Sequence, residues 1–152
     1  MLSFIGDYTC KLDNKGRVVV PSAFRKGMAM GGENSFVLRC NIFEKCIDLY
    51  PKEEWLNLIA DMRNRLSLFH RDESRFKREF FRGVLEVELD GNGRILIPKK
   101  MLEDIDVEGE IVMVGQDVKI EIWDKINYEK SAMNAEDFVN LTGQVFGDQD
   151  KV

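Results

Sequence analysis

The chain has 152 residues, 44% of them apolar and 32% charged, with a formal net charge of −5 and three cysteines. That length supports a sizeable core in one domain or two small ones. No apolar run is long enough to span a bilayer, and an odd cysteine count (Cys10, Cys40, Cys46) fits a reducing cytosol better than a disulfide scaffold. The net charge taken alone argues against a nucleic-acid partner, but the charges are unevenly spread. Residues 7–27 carry five bases against two acids, a local +3, whereas residues 103–152 carry four lysines against thirteen acids, a local −9. Binding follows the local potential, so an acidic body with a basic face is compatible with DNA.

Residues 1–7 lack a basic region followed by an apolar stretch, so no signal peptide is expected. Residues 7–12 alternate as a strand, with Tyr8, Cys10 and Leu12 on one face. Asp13-Asn14-Lys15-Gly16 then reads as a tight turn, in which the Asp side chain accepts from backbone N–H groups and Gly takes a positive φ. Residues 17–20 form the returning strand, ended by Pro21, which has no N–H for a ladder. Ser22 is a candidate cap for a short helix over residues 23–28 that carries Arg25 and Lys26. Gly31-Gly32 punctuates the chain, and residues 36–38 and 46–50 read as two strands around a loop at Asn41. Pro51, followed by Glu53 and Glu54, opens a helix. Its stripe of Trp55, Leu58, Ile59, Met62 and Leu66 faces a core or another subunit. A second helix over residues 72–81 is rich in Arg and Lys but also holds Asp72, Glu73 and Glu79. A solvated face with pairs such as Glu79 with Arg75 and Arg82 is favoured there over a phosphate site.

The order then recurs. The stretch from Leu12 to Pro21 returns from Leu89 to Pro98 at a constant offset of 77 residues. A strand over 84–89, a turn at 90–93, a strand over 94–97, Pro98 and a short helix over 99–103 follow the first copy. Strands at 111–114 and 119–123 and a helix from Asp124 complete it. The apolar faces match, with Leu85, Val87 and Leu89 standing for Tyr8, Cys10 and Leu12, while Thr9 and Lys11 become Glu86 and Glu88. One unit has been duplicated and specialised. The expected fold class is α+β, mostly β, with two similar halves packed on each other. The first repeat is expected over residues 1–76, the second over 77–145, and a polar, disordered tail over 146–152.

Catalytic and metal chemistry find little support. Cys40-x5-Cys46 with the lone His70 matches no usual zinc spacing, so the cysteines read as buried apolar groups and His70 as a surface residue. One histidine, with no Gly-x-Ser-x-Gly and no phosphate-binding glycine loop, leaves no nucleophile–base set, and no enzyme is expected. A turn that only reverses the chain does not require Arg after its Gly. Arg17 and Arg94 therefore have two readings: a planar fork for guanine or phosphate, or a structural partner for Asp13 and Asp90 across the turn.

Asp-x-x-Gly-Arg-x-x-x-Pro inside an alternating β unit resembles the AbrB-type (SpoVT-AbrB, swapped-hairpin) DNA-binding domain. Two copies in one chain, beginning near Met1 with Phe4-x-Gly6, resemble the MraZ family over essentially the whole sequence to about residue 140. The resemblance implies that the two halves pair into a compact β barrel with helices, and that identical subunits form a ring. It implies a cytoplasmic, nucleoid-associated transcriptional regulator, a repressor, that binds repeated boxes of double-stranded DNA before the division and cell-wall operon, with no cofactor and no membrane partner. It places the DNA contacts in the two turns: Asp13, Lys15, Gly16 and Arg17 in the first, Asp90, Gly93 and Arg94 in the second. Lys11 and Arg25 join them from the basic segment around the first turn. On this view a hairpin tip delivers Arg17 to base edges, Lys15 takes a phosphate and Asp13 orients the loop. Two departures stand out. Lys15 is matched by Asn92 and Arg25 by Leu102, and Glu86, Glu88, Glu103 and Asp104 flank the second copy. The first tip is therefore expected to dominate, with Arg94 either touching DNA or holding Asp90. The rivals are an adaptor ring whose tips bind protein, and an antitoxin-like module, which would need a long partner-binding tail.

Overall fold

Among the described residues, each half contributes four strands and three helices in the same order. The first half runs β1 (Asp7–Cys10), β2 (Arg17–Val19), α1 (Ser22–Met30), β3 (Ser35–Cys40), β4 (Ile47–Pro51), α2 (Lys52–Arg65) and α3 (Arg71–Phe81). The second runs β5 (Leu85–Glu88), β6 (Arg94–Leu96), α4 (Lys99–Asp104), β7 (Ile111–Gln116), β8 (Lys119–Asp124), α5 (Lys125–Lys130) and α6 (Ala135–Phe146). The structure is a computed structural model that describes residues 3–30 and 34–147. The Gly31-Gly32 pair and residues 148–152 lie outside it. The class is α+β, as expected.

Six strands form an antiparallel sheet in the order β1-β7-β8-β4-β3-β5, and β2 and β6 form a separate two-stranded ribbon. The order is symmetric about the β8–β4 pair, because each half gives its first strand to the other. β1 runs along β7, from Asp7 opposite Val114 to Cys10 opposite Ile111, and β5 runs along β3, from Glu88 opposite Ser35 to Leu85 opposite Leu38.

The local hairpin read from the sequence is therefore corrected. The first turn leaves one bridge between its own arms, Leu12 with Val18. β2 pairs instead with β6, placing Arg17 opposite Leu96, Val18 opposite Ile95 and Val19 opposite Arg94. Burial explains the exchange. Val18, Val20, Ile95 and Ile97 are all buried, and an isolated two-stranded hairpin has no core in which to bury them. Side by side, the two ribbon strands close one layer over the inner face of the sheet, with Phe24 and Met28 of α1 and Met101 of α4 in the same core. The backbone seals the crossing: Val20 N donates to Gly93 O at 2.9 Å and Ile97 N donates to Gly16 O at 2.9 Å.

A second, smaller core holds Val37, Trp55, Ile59, Met62 and Phe80. The helical stripe of α2 thus resolves as core at Trp55, Ile59 and Met62, with Leu58 and Leu66 half-buried. Trp55 stacks on Phe80 with ring centres 5.7 Å apart. Arg39 ties this layer to the sheet: its Nε donates to Phe80 O at 3.0 Å and its guanidinium lies 4.3 Å from the Phe80 ring centre.

Three local readings change. Ser22 is the first residue of α1 rather than its cap, and Pro51 closes β4 and caps α2. Arg82 pairs with Glu79 at 2.6 Å, but Arg75 pairs with Asp72 at 3.9 Å instead of Glu79. Helix α6 was not foreseen. It starts where Asn134 accepts from Asp137 N at 2.8 Å, and it runs to Phe146, the first residue of the expected tail.

Gly16 has φ +85°, and a Cβ there would stand 2.6 Å from Ile97 O. Gly16→Ala should therefore cost about 2 kcal/mol and lower the melting temperature by about 4–8 °C. Gly91→Ala, with nothing within 4 Å of the added Cβ, should melt within about 2 °C of the parent in the same calorimetric series.

Candidate nucleic-acid interface

Each turn is built around one carboxylate. Asp13 Oδ1 accepts from the backbone N of Lys15 and of Arg17, both at 2.9 Å, and Oδ2 accepts from Arg17 Nε at 2.7 Å. Gly16 N donates to Asp13 O at 3.1 Å, closing the turn at a positive φ. The second turn repeats this bond for bond. Asp90 Oδ1 accepts from Asn92 N and Arg94 N, both at 2.9 Å, and Oδ2 accepts from Arg94 Nε at 2.9 Å. The structural pairing of both arginines is thus present. It engages Nε in each case, so the terminal N–H donors of the fork stay outside the pair.

Backbone hydrogen bonding sets the charge state of these carboxyls. The Arg17 N–H holds the Asp13 carboxyl at about 2, helped by the Arg17 side chain and the Lys15 N–H. The Arg94 N–H likewise holds Asp90 below the ordinary carboxylate range. Both carboxylates are charged at neutral pH.

Strand period then decides what faces outward. Val18 and Ile95 point into the core, so Arg17, Val19, Arg94 and Leu96 share the outer face of the ribbon. Val19 is 50% exposed and Leu96 52%. Arg17 and Arg94 are diagonal neighbours in this register, about 7–8 Å apart between their backbones. Lys15 is exposed at the first tip. Lys11, also exposed, borders a shallow groove of about 490 Å³ with Val19 and Pro21.

Arg25 is placed differently from its position in the sequence. Its Nε donates to Val20 O at 2.8 Å, and a Cβ on Gly93 would lie 2.8 Å from Arg25 Cδ and Nη1. Arg25 therefore lies against the second turn, not the first. Its counterpart Leu102 lies against the first, 3.8 Å from a Cβ on Gly16. The strand exchange carries each α1-type helix to the opposite tip. The offset of 77 matched Arg25 with Leu102 but gave no sign of which turn each one serves. The charges come out even. Lys15 with the Asp13–Arg17 pair gives the first tip a net +1, and Arg25 with the Asp90–Arg94 pair gives the second the same. Two of the acids flanking the second copy are also paired locally, Glu86 with Lys52 and Asp104 with Lys100.

Among the described residues, Cys46, Asp48 and Glu121 form one cluster of potential metal ligands. Lys119 Nζ stands 2.8 Å from Asp48 Oδ1 and 3.5 Å from Glu121 Oε2, where a cation would otherwise sit. Burial pushes the Cys46 thiol up, away from the thiolate a metal would need. His70 is an exposed residue preceding α3, far along the chain from that cluster. No helix among the described residues is long and apolar enough to cross a membrane.

A family model for MraZ protein, whose description adds an antitoxin-like reading, matches this chain twice, over residues 3–79 and again over 80–146. The chain belongs to the MraZ family. Among curated MraZ relatives, that of Christiangramia forsetii is 41% identical over 151 residues, covering 99% of this chain and 97% of the relative. That of Bacteroides fragilis is 37% identical over 138 residues, covering 91% and 87%. That of Acetivibrio thermocellus is 40% identical over 126 residues, covering 83% and 84%. Each is named a transcriptional regulator.

In this MraZ-family chain the turn lock has a testable signature. The folded Asp13 value lies below the ordinary 3.8, so its stabilisation is complete at neutral pH, begins to fall near pH 4 and is lost as pH drops through about 2. A carboxyl-carbon NMR titration should place Asp13 at about 2. In Arg17→Ala it should rise yet stay below 3.8, because the backbone donors remain.

Proposed function

We propose that this chain is a sequence-specific DNA-binding transcriptional regulator, not an enzyme. It represses the division and cell-wall operon and acts as a ring of identical subunits on repeated boxes in double-stranded DNA. One observation carries the proposal: the ribbon presents two arginines, each locked by its own aspartate, on one outer face. The names of the curated relatives support the same reading.

The chemistry follows from the lock. An arginine already held by Nε loses less freedom on meeting a ligand, and its terminal nitrogens suit guanine O6 and N7 in the major groove, which admits a two-stranded ribbon. Val19 and Leu96, between the arginines, suit thymine methyl groups. Lys15, Lys11 and Arg25 supply charge for phosphates, which position the ribbon without specifying sequence. Asp13 and Asp90 face their own backbone and act as positioning residues. Gly16 and Gly93 let the two tips cross closely. Arg25 brings the second tip level with the first, so both tips share the contact rather than the first dominating. One ribbon is a small interface, and several on one ring gain through effective concentration when box spacing matches.

The experiment is fluorescence anisotropy with DNA from the promoter of the protein's own operon against a scrambled duplex, at two salt concentrations. Arg17→Ala and Arg94→Ala should each weaken specific binding by about 1–3 kcal/mol. Lys15→Ala and Arg25→Ala should weaken both duplexes alike and lower the salt slope by about one each. A parent protein that binds neither duplex at low salt would defeat this reading and leave the adaptor ring in its place.

A further inference from the structure

The outer surface around the ribbon is wider than β2 and β6 alone. The segment after β1 runs beside β2 through the bridge of Leu12 with Val18, and the segment after β5 runs beside β6, where Asp90 N donates to Arg94 O at 2.9 Å. Cys10, Leu12, Val87 and Leu89 pack into the core. Alternation therefore turns Thr9 and Lys11 outward on one flank, and Glu86 and Glu88 outward on the other. All four are exposed. The offset of 77 residues makes Glu88 the counterpart of Lys11 and Glu86 that of Thr9. Lys11 lines the groove beside Val19, and the repeat gives Glu88 the matching place beside Leu96.

The two tips are equal in charge, but the two flanks are not. Glu86 is satisfied by Lys52 and by Ser35 Oγ, which donates to it at 3.0 Å. Among the described residues neither Lys11 nor Glu88 forms an ion pair. One flank thus carries an unpaired cation and the other an unpaired anion. Their separation gives this difference a consequence. The flanks lie three strand spacings apart, about 14 Å, and the major groove of DNA is about 12 Å wide. A ribbon seated in that groove brings its two flanks to the two phosphate backbones that wall it.

We infer that double-stranded DNA sits off the pseudo-twofold of the ribbon: Lys11, with the Thr9 hydroxyl on the same flank, takes a phosphate of one backbone, and Glu88 holds the other backbone away from the second flank. Lys11 and Glu88 are positioning residues of opposite sign. An ammonium donates to phosphate and releases a counterion. An ionised carboxylate has no donor to offer and repels phosphate. A carboxylate in the groove can instead accept from cytosine N4, but the centre of this face is filled by Arg17, Val19, Arg94 and Leu96, and Glu88 stands at its margin. The inference rests on the DNA-binding reading above and adds to it the side of the ribbon on which the backbone is held.

The test is anisotropy over a series of salt concentrations, with promoter duplexes in which single phosphates beside a box are replaced by uncharged methylphosphonates. Both positions are exposed, and thermal melts confirm that the variants fold. Lys11→Gln should weaken binding and lower the salt slope by about one. One methylphosphonate that weakens the parent should then have no effect on this variant. Glu88→Gln should strengthen binding about twofold at low salt, the Coulomb effect of one charge at about 8 Å in water. Glu88→Lys should steepen the slope by about one and make a phosphate of the opposite backbone newly sensitive. An unchanged slope in Lys11→Gln, or an unchanged affinity in both Glu88 variants, would overturn the inference. Weaker binding of the promoter duplex alone by Glu88→Gln would assign the carboxylate to a base amino group and overturn it as well. In each of these outcomes the parent still binds DNA, and the reading of the arginine tips stands. A parent that binds no duplex at low salt would remove the tips and the flanks together.

Discussion

The pairing of β2 with β6 is the constraint on which the rest of this structure depends. Neither strand can bury its own apolar residues against its own half, and each completes its ladder only with the other. Once the ribbon forms, β1 and β5 must leave for the opposite half, and the symmetric strand order follows. The two close N–H to carbonyl contacts, Val20 to Gly93 and Ile97 to Gly16, fix how near the tips come. They also explain why those two positions are glycine, since a Cβ at Gly16 would meet a carbonyl and one at Gly93 would meet Arg25. Folding and the arrangement of the basic face are thus one event.

The aspartate of each turn resolves what looked like competing roles for its arginine. A structural pair and a recognition group are alternatives only if the pair consumes the donors that recognition needs. Here Nε is used and the ends of the fork are not. The cost is electrostatic, because each Asp cancels the charge of its partner. Lys15 at one tip and Arg25 at the other restore a positive balance from residue types and chain positions that differ. This is how a chain of net charge −5 presents a ribbon with a basic rim, and local potential rather than total charge governs association with a polyanion.

Much of this was legible in the sequence, and the limits have physical causes. The duplication, the turn chemistry of Asp13 and Gly16, the alternation of the strands and the order of the elements through α5 all rest on local rules, and they reappear in the fold. The partner of each strand does not rest on local rules. An alternating strand, a tight turn and a second strand spell a hairpin, and only the burial demand of Val18, Val20, Ile95 and Ile97 redirects the pairing across the halves. The same redirection moved Arg25 to the other tip, where linear proximity would not put it. Helix α6 was hidden for another reason: its Gly143 and polar neighbours resemble a tail, and its apolar positions show their period only once Asn134 is seen as its cap.

The duplicated halves are alike where they meet and unlike where they end. Ribbon, sheet and turns keep the pseudo-twofold, because these elements pack across the two halves, β2 on β6 and β4 on β8 directly and β1 and β5 by exchange, so a change in one copy strains the other. The terminal helices are free of that demand. In the first half a long α2 lets α3 fold down on Trp55 and leaves a basic groove beside it. In the second half the ring of Tyr128 on Trp123, 5.8 Å apart, repeats the contact of Trp55 with Tyr50, 5.7 Å apart, but α5 stops within two residues of it and α6 stands clear. Two identical halves would present two identical ends, which favours contacts that close on themselves. A chain with one groove and one free apolar helix offers two different ends. Divergence outside the symmetric core therefore leaves the two ends of the chain different, while its two tips stay equivalent in charge.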